Sequence, residues 1–468
     1  MNLNINKNIF FTFNLDNSQA PYYLIGILYI SINEQYVEYL EDNHKDNFSN
    51  NPIKKFIYGK FSNGQKFTLE NCRHSTSSSY MSGSKNSKFI FEKLYVGDWI
   101  IKEVKVKSAK INLSYLYSWL DLKDLDFGKQ KFYEDNEKET LSLLFTNQKY
   151  RKFNIDQNTS FQFVKRFEIS SDLYNNSNLN SDCFIKLIFK NSILITDFYI
   201  EYLEALKLFF KLALKTDDIF VEKLRITTNK AEFDLGKDYH YKVKFCQKNY
   251  HLENKSFNAM DNLYYYDDNL TENVLQNFFL IKTKYKKLVY SLNGIIHNKD
   301  NYVENQFLSS IQWIEGFIRI SYPISESIKI LHHKRIENIL QYIKDDNDKE
   351  LISKGLEYQY EPTLRKKLKT LFYDYNLNAL LGLNKELKNS LIDKIVFYRN
   401  QLTHISDKTL NKDDLQMLSY TSNFLENIIY IIMSKKLLFN NNNSRGYNEL
   451  INRLSFSLNS YIIPNLTK

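Results

Sequence analysis

Apolar and polar positions alternate with a period of two through much of the first half of the chain, then recur every three or four residues through the second half. Alternation marks strands with one buried face, and the longer recurrence marks helices. Strand-like runs are YYLIGILYI (22–30), KFIFEKLYV (88–96), KEVKVKSAKINL (102–113), TSFQFVKRFEI (159–169) and DCFIKLIFK (182–190). KKFIYGKFSNGQKFTLENC (54–72) reads as a hairpin turning at Asn63-Gly64, with a positive φ expected at both turn residues. Strands separated by turn residues, with no helix between them, predict an antiparallel sandwich or barrel. FYIEYLEALKLFFKLAL (198–214) then carries a helical stripe of Leu203, Leu206, Phe210 and Leu214, and KLRITTN (223–229) and YHYKVKFCQ (239–247) return to strand.

From about Leu275 the recurrence is helical almost to the end. YVENQFLSSIQWIEGFIRI (302–320) aligns Val303, Phe307, Ile311, Ile314 and Phe317 or Ile318 as the buried stripe of a bundle helix. EPTLRKKLKTLFYDY (361–375) has Pro362 in its first turn and Leu364, Leu368 and Leu371 on one side. KELKNSLIDKIVFYRNQLTH (385–404) runs through Leu387, Leu391, Ile395 and Tyr398. The segment 413–439 opens with two carboxylates and closes with lysines, the charges that suit the two ends of a helix dipole. Short connections between helices of these lengths predict an antiparallel bundle. The asparagine run 440–443 with Ser444 reads as a loop before a short terminal helix around 448–461. The predicted fold class is therefore α+β multidomain: an antiparallel β-sandwich or barrel-like domain over 1–255, a connecting segment with a helix over 256–300, and an all-α helical bundle over 301–468.

A length of 468 residues suits two or three domains, and 43% hydrophobic with 15% aromatic content excludes a disordered chain. The formal charge of +9 suits a polyanion such as RNA, although the Asn-, Lys- and Ile-rich bias of an AT-rich coding sequence would produce part of it. Cys72, Cys183 and Cys246 stand far apart with no CxxC or CxxH neighbour, which argues against a zinc knuckle and a disulfide framework. The N-terminus has no basic region followed by an apolar core of signal-peptide length. The apolar run 427–433 is broken at once by Ser434, Lys435 and Lys436. A cytoplasmic location and no membrane contact are expected.

The candidate chemistry lies in FYRNQLTH (397–404). On a helix Asn400 and His404 are four apart and share a face, and Arg399 sits about 100° round from Asn400, within reach of the same groove. A fixed positive charge, an amide and an imidazole suffice for RNA transesterification: His moves a proton near neutral pH, and Arg holds the pentacovalent phosphate. No metal or cofactor is needed. Taken alone, an Arg and a His at this spacing also occur by chance.

The chain resembles the HEPN ribonucleases, whose signature is an Arg, a polar residue, a few spacers and a His on a late helix of an all-α bundle. RNQLTH fits it with Asn after the Arg. It is similar, more closely, to the ApeA-type anti-phage proteins, which place a β-rich domain ahead of a HEPN domain. IYGKFSNGQKFTLENC, INLSYLYSWL and FYIEYLEALKLFFKLALKTDDIFVEKLRI resemble segments of that N-terminal domain. YVENQFLSSIQWIEGF and EPTLRKKLKTLF resemble the helices that precede the catalytic one, though Trp313 and Ile314 stand where related helices often carry smaller or different residues. The resemblance implies a metal-independent endoribonuclease acting in abortive infection on host or phage RNA, tRNA included. It implies that Arg399 stabilises the transition-state phosphate, His404 is the general acid or base, and Asn400 orients phosphate or imidazole. It also implies a homodimer through the HEPN domain and an N-terminal domain that senses a phage-derived trigger. The alternative is a non-catalytic HEPN module that binds RNA, a nucleotide or a protein.

Other residues admit two readings each. Arg365, Lys366, Lys367 and Lys369 could track an RNA backbone, with Arg365, Lys366 and Lys369 as the RNA-binding candidates, or form a solvated helix face. Glu315 could hold Arg399 in place through a charge-assisted pair or belong to a structural ion pair. Tyr264, Tyr265 and Tyr266 could stack bases or reflect a tyrosine-rich composition. His332 and His333, beside Lys334 and Arg335, lack metal-ligand spacing and read as surface residues.

Overall fold

The computed structural model describes residues 5–12, 24–30, 35–42, 53–79, 84–97, 104–120, 152–171, 177–228, 239–245, 262–264, 266, 271–297, 302–403, 411–437 and 445–466. The chain forms two compact units, Met1–Lys211 with Asp218–Ala259 and Tyr265–Gln276, and Leu212–Asp217 with Met260–Tyr264 and Asn277–Lys468.

The first unit is β-rich. Its described strands are β1 (Ile5–Thr12), β2 (Leu24–Ile30), β3 (Gln35–Asp42), β4 (Ile53–Phe61), β5 (Lys66–Ser79), β6 (Ser84–Ile90), β7 (Lys93–Gly97), β8 (Lys105–Leu113), β9 (Phe153–Asn154), β10 (Thr159–Ser171), β11 (Ser177–Leu194), β12 (Val221–Thr228) and β13 (Tyr239–Phe245). Six of them close a ring of antiparallel pairs: β1 with β2 and β4, β2 with β3, β3 with β6, β6 with β5, and β5 with β4. The predicted sandwich or barrel is here a barrel, and closure leaves no unpaired strand edge within the ring. Its interior is made by alternation: Leu24, Leu28 and Ile30 of β2 are buried while Ile25 and Ile27 point outward. Gly26 falls on the inward face because Phe11 occupies the space; a Cβ there would lie 2.8 Å from the Phe11 ring.

Strand β5 also pairs with β7, and the sheet continues through β13, β12, β8, β11 and β10 to β9. A helix follows β11 and buries Phe198, Leu203, Leu206, Phe209 and Phe210. Trp119 lies edge-on to Phe210 with ring centroids 5.0 Å apart and meets Phe163 of β10 at 5.5 Å. The helix opens with a π-helical segment, Phe198–Leu203, which brings two tyrosine hydroxyls to the sheet. Tyr199 donates to the Tyr95 hydroxyl at 3.3 Å, and Tyr95 donates to Glu70 Oε2 at 2.7 Å. Lys93 pairs with the same Glu70 oxygen at 3.1 Å and lies over the Tyr199 ring. Tyr202 donates to Asp156 at 2.9 Å, and burial pushes its phenol up to about 12.

Three expectations for this unit change in detail. The hairpin turns at the expected place, but only Gly64 has a positive φ (79°) among the described non-glycine and glycine turn residues there. Gly64 N–H bonds Phe61 O and Phe61 N–H bonds Gln65 O, so this is a three-residue loop with a glycine bulge and not a two-residue turn. The run 88–96 is two strands, broken where Phe91 and Glu92 donate to Gln35 and Glu70 carbonyls. Strands β1, β3 and β9 are absent from the predicted runs; β3 carries the polar Gln35 at a fully buried position, which breaks its alternation. Tyr264 is buried and Tyr266 packs on Trp119 and Phe163, which favours the structural reading for both; Tyr265 lies outside the described residues.

The second unit is helical. It includes the helices Lys286–His297, Val303–Ser321 (the junction helix), Glu326–Leu340, Asp346–Leu356, Leu364–Asp374 (the basic helix), Leu377–Leu381, Lys385–Thr403 (the motif helix), Lys412–Leu437 (the long helix) and Arg445–Ser457 with its continuation to Leu466. The apolar run at 428–433 is buried throughout and forms the centre of the bundle. On the junction helix Phe307, Ile311, Ile314, Phe317 and Ile318 are buried as the stripe predicts. Trp313 is accommodated by donating its indole N–H to Leu288 O at 2.9 Å and stacking on Phe317. Pro362 stands just before the N-cap Thr363 and not within the first turn. The pair Glu326–Leu340 and Asp346–Leu356, which the hydrophobic pattern did not single out, buries only Ile336. The asparagine run 440–443 and Cys246 lie outside the described residues, and Cys72 and Cys183 are buried free thiols.

Replacing Gly26 by Val should destabilise the first unit by about 1–3 kcal/mol, because the added carbons meet the Phe11 ring and the backbone of β3. Urea denaturation checks this; an unchanged midpoint would mean that the barrel interior is not packed as described.

Candidate active site

Local chemistry sets where the motif helix starts. Gly382, with φ 65°, ends the short helix Leu377–Leu381 in the left-handed conformation, and Leu383 N–H closes the turn onto Asn378 O. Asn384 then caps the motif helix, its Oδ1 accepting from Leu387 N–H at 2.8 Å. Leu391, Ile392, Ile395 and Tyr398 form the buried stripe; Leu387 is half-buried at its edge.

Tyr398 is the last anchor. Its ring is fully buried and meets Phe307 of the junction helix edge to face, 6.1 Å between centroids. Its hydroxyl donates to Asp414 Oδ1 at 3.5 Å, and Lys394 reaches the same oxygen at 3.4 Å while lying over the Tyr398 ring. Burial, with Asp414 beside it, pushes the phenol well above its ordinary range. Asp414 is itself held in the first turn of the long helix, where Asn411 Oδ1 accepts its N–H at 2.8 Å. The motif helix is thus tied to two neighbours one residue before the candidate chemistry begins.

Arg399 follows, half-buried, and Asn400 is exposed; Arg399 Nη1 donates to Asn400 Oδ1 at 3.4 Å. Thr403 Oγ1 donates back to Arg399 O at 2.8 Å. No carboxylate among the described residues neutralises Arg399, so its charge faces outward beside an amide at the negative end of a helix. His404, the residue after Thr403, lies outside the described residues.

The remaining candidates separate. Glu315 is half-buried and, among the described residues, has no ion pair with Arg399; Phe307, whose ring meets Tyr398, lies eight positions and about 12 Å along the junction helix from it. Arg365 is exposed, with Nη2 2.7 Å from Asp393 Oδ1 on the motif helix, an ion pair without the alignment of a hydrogen bond. Lys366 and Lys369 are exposed on one face of the basic helix, whereas Lys367 is buried and pairs with Glu361 at 3.4 Å. His333 is exposed as expected; His332 is half-buried, with Nε2 2.8 Å from Leu356 O. The sequence reading missed the Tyr398–Asp414–Lys394 support. The opening carboxylates of the long helix suit its dipole, and Asp414 among them also serves this support. Among the described residues no three His, Cys, Asp or Glu side chains converge as a metal site would, and no helix is long and apolar enough to cross a membrane.

Two family models match. Residues 12–278, more than half of the chain, match ApeA N-terminal domain 1, and residues 308–443 match the Apea-like HEPN domain, which contains the whole Arg399–His404 element. The chain belongs to the ApeA-like family. The order of its units, an antiparallel β-rich unit and then a HEPN helical unit, is the ApeA-like architecture, that of an anti-phage HEPN-type effector. HEPN domains commonly bind RNA and dimerise. The chain has no match among curated proteins or solved structures.

In this ApeA-like protein the position of Arg399 should depend on the ring of Tyr398 and little on its hydroxyl. Tyr398→Ala should lower stability by about 3–5 kcal/mol, and Tyr398→Phe by less than about 1.5 kcal/mol, given the long bond to Asp414. Equilibrium unfolding of both variants checks this; equal losses would assign the anchoring to the hydroxyl.

Proposed function

We propose that this ApeA-like protein is a HEPN endoribonuclease that cleaves RNA by metal-independent transesterification. Its role is anti-phage defence by abortive infection. The observation that carries this reading is the placement of Arg399, uncompensated by any described carboxylate, beside Asn400 on the outward side of the motif helix. His404 follows in the RNQLTH sequence. In the reaction the substrate's own 2′-hydroxyl attacks the adjacent phosphorus and the 5′-oxygen leaves. The products are a 2′,3′-cyclic phosphate and a 5′-hydroxyl. Arg399 stabilises the charge that gathers on the equatorial oxygens, His404 moves a proton, and Asn400 orients the phosphate or the imidazole. Arg365, Lys366 and Lys369 on the neighbouring basic helix extend a cationic surface for the RNA backbone.

One chain supplies one His, whereas the reaction profits from an acid and a base on opposite sides of the phosphate. A two-fold dimer through the HEPN domain meets that need, since it brings the same patch of two chains together. In this division of labour 301–468 is the catalytic module, 256–300 the connection, and 1–255 the regulatory module that responds to a phage-derived trigger. The substrate is host or phage RNA, with tRNA a candidate.

Arg399→Ala and His404→Ala should each reduce cleavage of a defined RNA by at least ~100-fold while leaving circular dichroism and thermal unfolding unchanged. RNA binding with undiminished cleavage by folded His404→Ala would overturn the catalytic role. RNA binding without any cleavage by the wild type, with and without phage components, would favour the non-catalytic module. Solution mass should give a dimer at assay concentration, and a fully active monomer would refute the composite site.

A further inference from the structure

The second unit contains a cleft of about 320 Å³ away from the Arg399 element. It lies where the end of the junction helix, the helix Glu326–Leu340 and the start of the basic helix come together. Arg319, Tyr322, Lys329, Tyr360, Glu361 and Lys367 supply its polar and aromatic wall, with isoleucines and prolines completing the lining.

The charges do not balance. Three cations face one carboxylate, and a single oxygen, Glu361 Oε2, accepts from both Arg319 Nη2 at 3.1 Å and Lys367 Nζ at 3.4 Å. Lys329 pairs at 3.0 Å with Glu326, an exposed residue of its own helix that does not line the cleft. The Lys367 side chain is only 9% exposed, yet among the described residues its ammonium has this one long bond for three N–H donors. A buried cation so sparsely bonded is expensive unless a further acceptor arrives. Arg319, 68% exposed, has most of its guanidinium fork left for an incoming oxyanion.

The aromatic wall is held in place independently. Tyr360 meets the His332 ring at 5.4 Å, and His332 is anchored on Leu356 O. Burial, with Asp374 close by, pushes the Tyr322 phenol up to about 12. Two phenols beside a net-positive wall, in a volume at the small end of ligand pockets, suit a small molecule with a flat body and a phosphate, and not a polymer. The cleft also lies on the other flank of the basic helix from the motif helix. Arg365 reaches Asp393 on the motif helix whereas Lys367 lines the cleft, and two residues turn about 200° on a helix.

We propose that this cleft is a binding site for a small phosphomonoester carried on a planar body, separate from the Arg399 element. It does not depend on the ribonuclease reading. Isothermal titration calorimetry on the full chain tests it with three probes: a nucleoside monophosphate, the same nucleoside without phosphate, and inorganic phosphate. The monophosphate should bind, inorganic phosphate more weakly, and the nucleoside not measurably. Arg319→Ala, at an exposed position, and Lys329→Ala, at a half-buried one, should each weaken monophosphate binding about tenfold. Lys367→Met should remove it. Arg399→Ala should leave it unchanged. No heat with the monophosphate at millimolar concentration, equal binding of the bare nucleoside, or indifference to Arg319→Ala and Lys329→Ala would overturn the proposal. Loss of binding in Arg399→Ala alone would move the anion to the motif helix and also overturn it.

Discussion

The burial of the Tyr398 ring against Phe307 is the constraint on which the candidate site depends. A helix is free to rotate about its axis until some large side chain locks its phase, and about 100° separates each residue from the next. With Tyr398 wedged toward the junction helix and its hydroxyl turned to Asp414, Arg399 has to lie at the edge of the bundle and Asn400 beyond it. The polar pair is thus placed by an apolar contact one residue away. Lys394 reinforces it by meeting both the ring and the Asp414 carboxylate.

Charge is distributed around the basic helix with the same economy. Of its four consecutive-turn cations, Arg365 turns toward the motif helix, Lys367 toward the cleft, and Lys366 and Lys369 to solvent. A run that reads as one basic cluster in the sequence therefore faces three different surroundings. The exposed pair is the part suited to a long polyanion, and the buried one is partnered by Glu361. Glu361 sits between two of the unit's cations and can neutralise only one.

The sequence revealed what depends on periodicity and hid what depends on partners across the fold. The helical stripes of the second unit and the hairpin at Asn63-Gly64 appear where alternation and recurrence place them, because burial of one face is a local pattern. The bulged turn was misjudged since whether Asn63 or Gly64 takes the left-handed conformation depends on the register of both strands. Closure of the barrel through the β1–β4 and β3–β6 pairs was not legible, nor the sharing of Glu70 by Lys93 and Tyr95, for these are contacts between distant segments. At the candidate site Arg399 and Asn400 were recognisable from spacing, but the Tyr398–Asp414 support was not. Glu315 shows the converse: a carboxylate on the right helix, two turns from Phe307, whose ring meets Tyr398.

In the proposed ribonuclease reaction the substrate's own 2′-hydroxyl is the nucleophile, and Arg399 and His404 need only stabilise charge and move protons. The most direct test is to map the cut ends of a cleaved RNA and of the same RNA carrying a single 2′-deoxy nucleotide at the scissile position, in excess chelator. The first should give a 2′,3′-cyclic phosphate and a 5′-hydroxyl, and the second no cut at that position. Cleavage at the deoxy position, or 5′-phosphate ends that appear only with added magnesium, would contradict it.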